Sequence, residues 1–414
     1  MPDRSFAMKR LRAVFFWVHL AAGTAAGLVI LVLSLTGAAL AFKPQILRLV
    51  DTAGFHIQAD GRRPLEASAL IASFHASRPE SDVTAITLAS AATDPASIRS
   101  ASGTFYLDPY TGDVVGEAST GAEQVFRSIE NWHRWLAMQG DGRDTGRAIV
   151  GIANVVFLLL AVSGVYLWWP RAWTIQHLRP IVWFRKTSTG KSRDFNWHHV
   201  AGVWSLPMIL VMTVTGVLMS YPSLNARLQQ AAGGAVQSGG PGRGPGGPDG
   251  AAGGRGPGRP AMRGANGASR SSVTVDAGVI DRAVADAQSR ADGWNSISVE
   301  MPRSAGASLT VSIADGAATP ASRSQLAVDP ASGEVTRWQP ASTPALAQRL
   351  RTWVRFGHTG EQWGVIGQTL AAVSCLGGAL LVWTGFALAV RRGLNAATRA
   401  RHPRRAAVPA RAQA

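Results

Sequence analysis

Four histidines hold matched positions in this 414-residue chain. His19 and His198 each open a long apolar run. Each has a glycine four residues on (Gly23, Gly202) and a Thr-Gly pair near the far end (Thr36-Gly37, Thr215-Gly216), and a shift of 179 residues superposes the two sets. His133, in Asn131-Trp132-His133-Arg134-Trp135-Leu136, and His358, in Gly357-His358-Thr359-Gly360, each stand just before a further apolar run. Imidazole is a ligand for Fe, Cu, Zn and Ni. An ionisable side chain in or beside a membrane span is costly to bury and marks a functional site. One such histidine is often no more than a hydrogen-bond partner for a neighbouring helix, but four in duplicated positions argue for ligands.

The elements that must position them are apolar helices. Ala13 to Phe42, Ala148 to Pro170, Phe195 to Ala226 and Gln362 to Val390 contain no charged residue, and each exceeds the roughly 20 residues that cross a bilayer. Four transmembrane helices follow, at 13–42, 148–170, 195–222 and 362–390. The formal charge of +16 is not spread as a nucleic-acid face would be. Seventeen basic residues lie in the N-terminus 1–12, the loop 171–194 and the tail 391–414, against only Asp3 and Asp194. Short basic loops mark the cytoplasmic side, so both termini are expected inside and the long loops outside. Trp17, Trp168, Trp169, Trp173, Trp197 and Trp363 fall at span ends, where aromatic anchors belong. The first run is far longer than the core of a cleaved signal and carries the repeated His and Gly, so it is read as a retained span. The single cysteine, Cys375, excludes an intramolecular disulfide.

Both long loops have the same order of features. In residues 43–122, Pro64 to Arg78 reads as an amphipathic helix, and Val83 to Leu88, Thr104 to Leu107 and Val114-Val115 as strands. In residues 272–342, Val279 to Arg290 reads as a helix, and Ile297 to Val299, Leu309 to Ile313 and Leu326 to Val328 as strands. Asp108-Pro109-Tyr110-Thr111-Gly112-Asp113-Val114 and Asp329-Pro330-Ala331-Ser332-Gly333-Glu334-Val335 repeat one turn signature. Segments 123–147 and 343–361 return the chain to the membrane and carry His133 and His358. Residues 223–271, rich in Gly, Pro and Arg, read as a disordered tether. The fold class expected is a mainly α membrane protein, with four transmembrane helices in two tandem repeats, each with a periplasmic α+β domain.

Parallel repeats of this kind arrange around an axis along the membrane normal. His19 and His198 then face each other at the cytoplasmic edge, and His133 and His358 at the exterior edge. Two histidines per site, with no Cys or carboxylate close by, do not suit zinc, which takes three or four protein ligands. Small residues beside the ligands, Gly23, Gly27 and Gly202, would leave room for a porphyrin, although small residues also let membrane helices pack. The metal expected is therefore haem iron, held in two haems through His19, His198, His133 and His358. His199, next to His198, is the alternative ligand. Ligation from both sides leaves no open position, so such iron carries electrons, here across the membrane. His56, His75, His177 and His402 have no repeat partner and read as solvated. Trp132, Arg134, Arg355 and Trp363 flank the exterior site by position.

The His-x-x-x-Gly and Thr-Gly of the odd spans, Asn-Trp-His-Arg-Trp-Leu, His-Thr-Gly-x-x-Trp-Gly and the Asp-Pro-x-[Ser/Thr]-Gly turn together resemble the PepSY-associated transmembrane proteins. That family includes iron-regulated inner-membrane ferric-siderophore reductases of Gram-negative bacteria. The resemblance spans roughly residues 10–395 apart from the tether. It implies two b-type haems on the same four histidines and reduction of a ferric siderophore or other ferric chelate outside, by an electron donor that is a cytoplasmic protein or a quinol. The partners expected are thus the chelate, the donor and membrane lipids, with no nucleic acid. Soluble PepSY domains are associated with protease inhibition, so a regulatory membrane module without redox activity is the competing reading. A transporter would need paired charges that the spans lack.

Overall fold

The computed structural model describes residues 4–170, 173–185, 190–233, 275–304, 306–315, 323–341 and 346–401. The first half runs α1 (Arg4–Leu40), α2 (Lys43–Thr52), α3 (Ala67–Ser77), β1 (Val83–Ala89), β2 (Ala96–Ser100), β3 (Thr104–Leu107), β4 (Val114–Glu117), α4 (Thr120–Trp135), α5 (Gly142–Trp168) and α6 (Ile175–Val182). The second runs α7 (Gly190–Ser220), α8 (Pro222–Ala231), α9 (Ala277–Arg290), β5 (Trp294–Glu300), β6 (Leu309–Asp315), β7 (Arg323–Val328), β8 (Val335–Gln339), α10 (Leu346–Thr359) and α11 (Gly364–Arg401). These elements form two compact units, one of Met1–Ala41, Ile129–Tyr221 and Thr369–Ala414, the other of Phe42–Ser128 and Pro222–Gln368.

The first unit is a helical bundle. Met8–Leu40, Gly142–Trp168, Gly190–Ser220 and Glu361–Thr398 are long and apolar enough to cross a membrane. They cover most of the four uncharged runs and begin in charged flanks, since a helix keeps its backbone satisfied on both sides of the hydrocarbon edge; the first three end two to six residues before their runs do. Successive spans are antiparallel. On α1 and α5, His19 meets Ser163 while Leu33 packs near Val150 and Ala153. On α7 and α11, His198 meets Thr384 while Met212 meets Cys375. Small residues set the spacing: a Cβ on Gly378 would lie 2.8 Å from Ser34 Oγ, and one on Gly377 would strike Ser205. Van der Waals packing of small residues is what holds helices together in lipid. The Arg-rich end is fastened separately. Asp194, 3% exposed, accepts from Arg193 at 3.0 Å through Oδ1, and its Oδ2 is ion-paired with Arg391 of α11 at 2.9 Å. Buried Asn196 clasps the loop that carries α6, donating to Pro180 O (2.7 Å) and Trp183 O (3.1 Å) and accepting from Arg185 N (2.9 Å).

The second unit is built on one antiparallel sheet of eight strands, in the order β4-β3-β2-β1-β5-β6-β7-β8. One separate α+β domain per half was expected, and here the two differ. Each half contributes a helix and a four-stranded meander, but β1 pairs with β5, from Ala85 opposite Glu300 to Ala89 opposite Ser296. An unpaired β1 or β5 would expose a row of backbone donors and acceptors, and each closes the other. One face is covered by α3 and α9, burying Leu70, Phe74, Val279, Ile280 and Ala287 on Ile86, Ile98, Ile297, Val311, Ile313 and Leu326. The two helices are tied together by Asp281, whose carboxylate accepts from the backbone N of Ser68 at 2.9 Å and from its hydroxyl.

The two Asp-Pro turns make the same bonds. Asp108 Oδ1 accepts from the N of Tyr110 and Thr111, and Asp329 Oδ1 from the N of Ala331 and Ser332. Gly112 and Gly333 then take φ of +79° and +75°, which glycine adopts without a Cβ penalty. Three short helices, α2, α6 and α8, and strands β2 and β8 were not expected. Residues 223–231 of the expected tether belong to α8; 234–271 lie outside the described residues, as do 402–414 of the tail with His402.

Candidate functional site

In the bundle, His19 of α1 and His198 of α7 face each other with ring centroids 6.5 Å apart and planes at 81°. Each ring is held from behind by the next span along the chain. His19 Nδ1 lies 2.8 Å from Ser163 Oγ of α5, and His198 Nδ1 lies 2.9 Å from Thr384 Oγ1 of α11. A glycine follows each hydroxyl residue. A Cβ on Gly164 would sit 3.7 Å from His19 Cε1, and one on Gly385 3.7 Å from His198 Cε1.

The hydroxyls favour one tautomer of each ring. A hydroxyl has a single proton to give. Thr384 gives its proton to Leu380 O at 2.7 Å, and Ser163 directs its own to Leu160 O at 3.2 Å. Only lone pairs then remain toward the imidazoles, so each ring donates from Nδ1. A neutral imidazole protonated at Nδ1 has its free lone pair on Nε2, and that is the atom left to bind a metal. With each Nε2 about 2 Å from a shared ion, as imidazole nitrogens bind first-row metals, the two centroids fall roughly 6 Å apart, close to the spacing found. Haem iron ligated from both sides fits this donor set. Among the described residues no group of three or more His, Cys, Asp or Glu is gathered for a metal ion, so the pair has no third protein ligand to compete with a porphyrin.

His199 points elsewhere, its ring centroid 4.3 Å from that of Phe195. His56, His75 and His177 are exposed. The glycines expected to make room beside the ligands are occupied by neighbouring helices: a Cβ on Gly27 would lie 2.6 Å from Phe386 Cζ, and one on Gly202 3.6 Å from Leu381. They serve helix packing, and the room against the rings comes from Gly164 and Gly385 instead.

His133, on the last turn of α4, is held in the same way. Its Nδ1 lies 2.8 Å from Thr36 Oγ1, and Thr36 gives its proton to Val32 O at 2.6 Å. A Cβ on Gly37 would lie 3.4 Å from His133 Cε1. Thr36 follows His19 by 17 residues on one unbroken helix, a rise of about 25 Å, so the His19 and His133 cradles lie at opposite ends of the bundle. Beyond His133 the chain turns through two left-handed residues, Leu136 (φ 53°) and Ala137 (φ 59°). Trp135 is stacked between the Arg134 and Arg143 guanidiniums, at 4.4 and 4.7 Å. Thr215, the repeat counterpart of Thr36, also spends its proton within its helix, on Val211 O at 2.6 Å.

In the sheet unit, His358 ends α10. The turn after it depends on glycine twice. Gly360 has φ +80°, and a Cβ on either Gly360 or Gly367 would strike the other's carbonyl oxygen. Gln368, 2% exposed, exchanges amide bonds with Gln45 of α2 at 2.7 and 3.3 Å. Of the residues that flank the exterior site in sequence, Trp132 and Trp363 are exposed, and Arg355 lies over Phe356 at 5.5 Å.

The family model of the PepSY-associated TM region matches residues 16–392. The chain belongs to that family. It is accordingly a membrane protein with four spans and PepSY-like α+β parts. Comparison with curated proteins finds no match. In this PepSY-associated protein, sequence reasoning missed Ser163-Gly164, Thr384-Gly385 and the Gln45–Gln368 pair. The first two were findable: a shift of 221 residues superposes Ser-Gly of the second span on Thr-Gly of the fourth, as 179 does for the first and third.

Proposed function

We propose that this protein is a haem-containing electron-transfer protein of the bacterial inner membrane, reducing ferric siderophores or other ferric chelates on the periplasmic side. The observation that carries the proposal is the inner pair: His19 and His198 opposed at 6.5 Å with both Nδ1 atoms engaged by hydroxyls of the neighbouring spans. A haem held there supplies a one-electron Fe(III)/Fe(II) couple with no open coordination position. Around it the chain's own residues fix ring orientation (Ser163, Thr384), leave space against the rings (Gly164, Gly385) and keep water out through helix packing. A second haem b is assigned to His133 and His358 from their places in the repeat, with His133 supported by its Thr36-Gly37 cradle.

The direction of flow follows from charge. Arg12, Arg193, Arg391 and Arg392 mark the His19–His198 end of the bundle, and basic ends face the cytoplasm. Electrons then enter from a cytoplasmic protein or a quinol near His19 and leave near His133 on the periplasmic side. Reduced iron would leave the chelate because Fe(II) binds hard oxygen donors more weakly.

The test is an absorption spectrum of the full-length protein in detergent, before and after dithionite, with haem counted per chain. Two b-type haems, reoxidised by a ferric chelate, are expected. Protein made with ample haem but lacking a Soret band would refute the electron-transfer reading and leave the regulatory one ahead. Full haem content with no reoxidation by any ferric chelate would refute the substrate assignment alone.

A further inference from the structure

The hydroxyls behind the ligands do more than point the rings. We infer that Ser163 and Thr384 are positioning residues that set the redox potential of the inner haem, with Thr384 the stronger of the two; this rests on the proposed haem at His19 and His198. Each oxygen lies within hydrogen-bond reach of a carbonyl of its own helix and of an imidazole Nδ1; with its proton on the carbonyl it accepts from Nδ1–H. An acceptor at Nδ1 makes the opposite nitrogen a better electron donor. A better donor stabilises Fe(III) over Fe(II) and lowers the midpoint potential.

The two sites differ in what could replace the hydroxyl. Thr384 is 1% exposed, so no water reaches His198 Nδ1 when its hydroxyl is removed. The threonine methyl also restricts its χ1 rotation. Ser163 is half-buried, lacks that methyl, and holds a longer bond to its carbonyl, so its oxygen is the less firmly directed acceptor. The effect of removal is therefore larger on α11.

The experiment is a potentiometric titration of the full-length protein, following the reduced α-band, for wild type, Thr384→Val, Thr384→Ser and Ser163→Ala. Thr384→Val should shift the Fe(III)/Fe(II) equilibrium of one haem about fivefold toward Fe(II), roughly 40 mV upward at 59 mV per decade. Ser163→Ala should shift it by less, and Thr384→Ser should return it to the wild-type value. Proton NMR of the oxidised protein gives a second readout, the exchange-protected Nδ1–H of His198, which should lose protection in Thr384→Val and keep it in Thr384→Ser. Unchanged potential and protection in haem-replete Thr384→Val would overturn the inference and leave the haem reading standing. Wild-type protein without haem would overturn the reading itself. Loss of haem from Thr384→Val but not from Thr384→Ser would support positioning by the hydroxyl, and loss from both would refute it.

Discussion

The glycines against the imidazoles allow a graded test of the inner site. A Cβ on Gly385 lies 3.7 Å from His198 Cε1, an ordinary separation for two carbons in contact, so alanine should fit. Valine adds a carbon about 1.5 Å farther out, which brings it to roughly 2.5 Å from the ring, about 1 Å inside the contact distance. The helix pair has other contacts to hold it, so relief comes from the ring, at an overpacking cost of about 1–3 kcal/mol. A bond of about 2 Å to a metal does not survive a 1 Å displacement of its donor. Haem per chain should fall from two to one in Gly385→Val and stay at two in Gly385→Ala. The same pair of changes at Gly164, whose Cβ would also lie 3.7 Å from a ring carbon, should give the same result at His19. Gly393, on the same helix with nothing within 4 Å of its Cβ, is the control, and valine there should keep both haems. Haem is counted by extraction and thermal stability is followed alongside. Two haems in Gly385→Val, or one in Gly385→Ala, would refute the reasoning.

Three further outcomes follow. His198→Ala should lose one haem per chain whereas His199→Ala keeps two, because His199 packs on Phe195; the reverse result would move the ligand to His199. Tyr106 donates to Asp51 at 3.0 Å, and burial together with that carboxylate pushes its phenol up to about 12. A pKa raised above the unfolded value of about 10 gives stability that is whole below pH 10 and lost as pH rises toward 12; wild type should therefore lose thermal stability more steeply over that window than Tyr106→Phe, and equal slopes would remove this coupling. Gly112→Ala should cost more than the ~1 kcal/mol of left-handed strain alone, since its Cβ would lie 2.8 Å from Ser73 Oγ; Gly333→Ala should cost about that strain, its Cβ meeting only the mobile end of Arg282. Thermal unfolding of the full chain measures both, and equal losses would show that the Ser73 contact gives way.

Much of this architecture could be read directly from residue pattern. The spans show because apolar runs without charge have few other uses, and the two Asp-Pro turns because Asp, Ser or Thr, and Gly at fixed offsets serve one hydrogen-bonded geometry. Strand β2 was hidden because Ile98 is the only large apolar residue in Ala-Ser-Ile-Arg-Ser. The β1–β5 pairing was hidden for a different reason. Edge pairing uses backbone groups that every sequence has, so nothing in Val83–Ala89 names Trp294–Glu300 as its partner. The four histidines were legible from their duplication. Their partners were not, because Ser163 and Thr384 are ordinary residues in a membrane helix until the facing ring is known. Gly27 left two readings open, room for a cofactor or helix packing, because a small residue near a ligand in sequence faces whatever the helix turns it toward, here Phe386.

That ordinariness explains the choice of a hydroxyl. A metal-bound histidine commonly gives its second N–H to a carboxylate or a backbone carbonyl. Inside a span a carboxylate carries an insertion cost of about 2.5–3.5 kcal/mol, and the backbone carbonyls are already used by the helix. A serine or threonine costs far less, because its proton returns to a carbonyl of the preceding turn, as Thr36, Thr215 and Thr384 all do at 2.6–2.7 Å. That local bond consumes the only donor and leaves an acceptor of fixed direction on the helix surface. The residue is self-satisfied before any ring docks, and it then accepts a bond only from an imidazole whose proton is on Nδ1. Tautomer selection is thus built into helix chemistry. A carboxamide in the same place would bring two donors and an acceptor on a freely turning group and would accept either tautomer, so Thr384→Asn should hold the ring without choosing its proton.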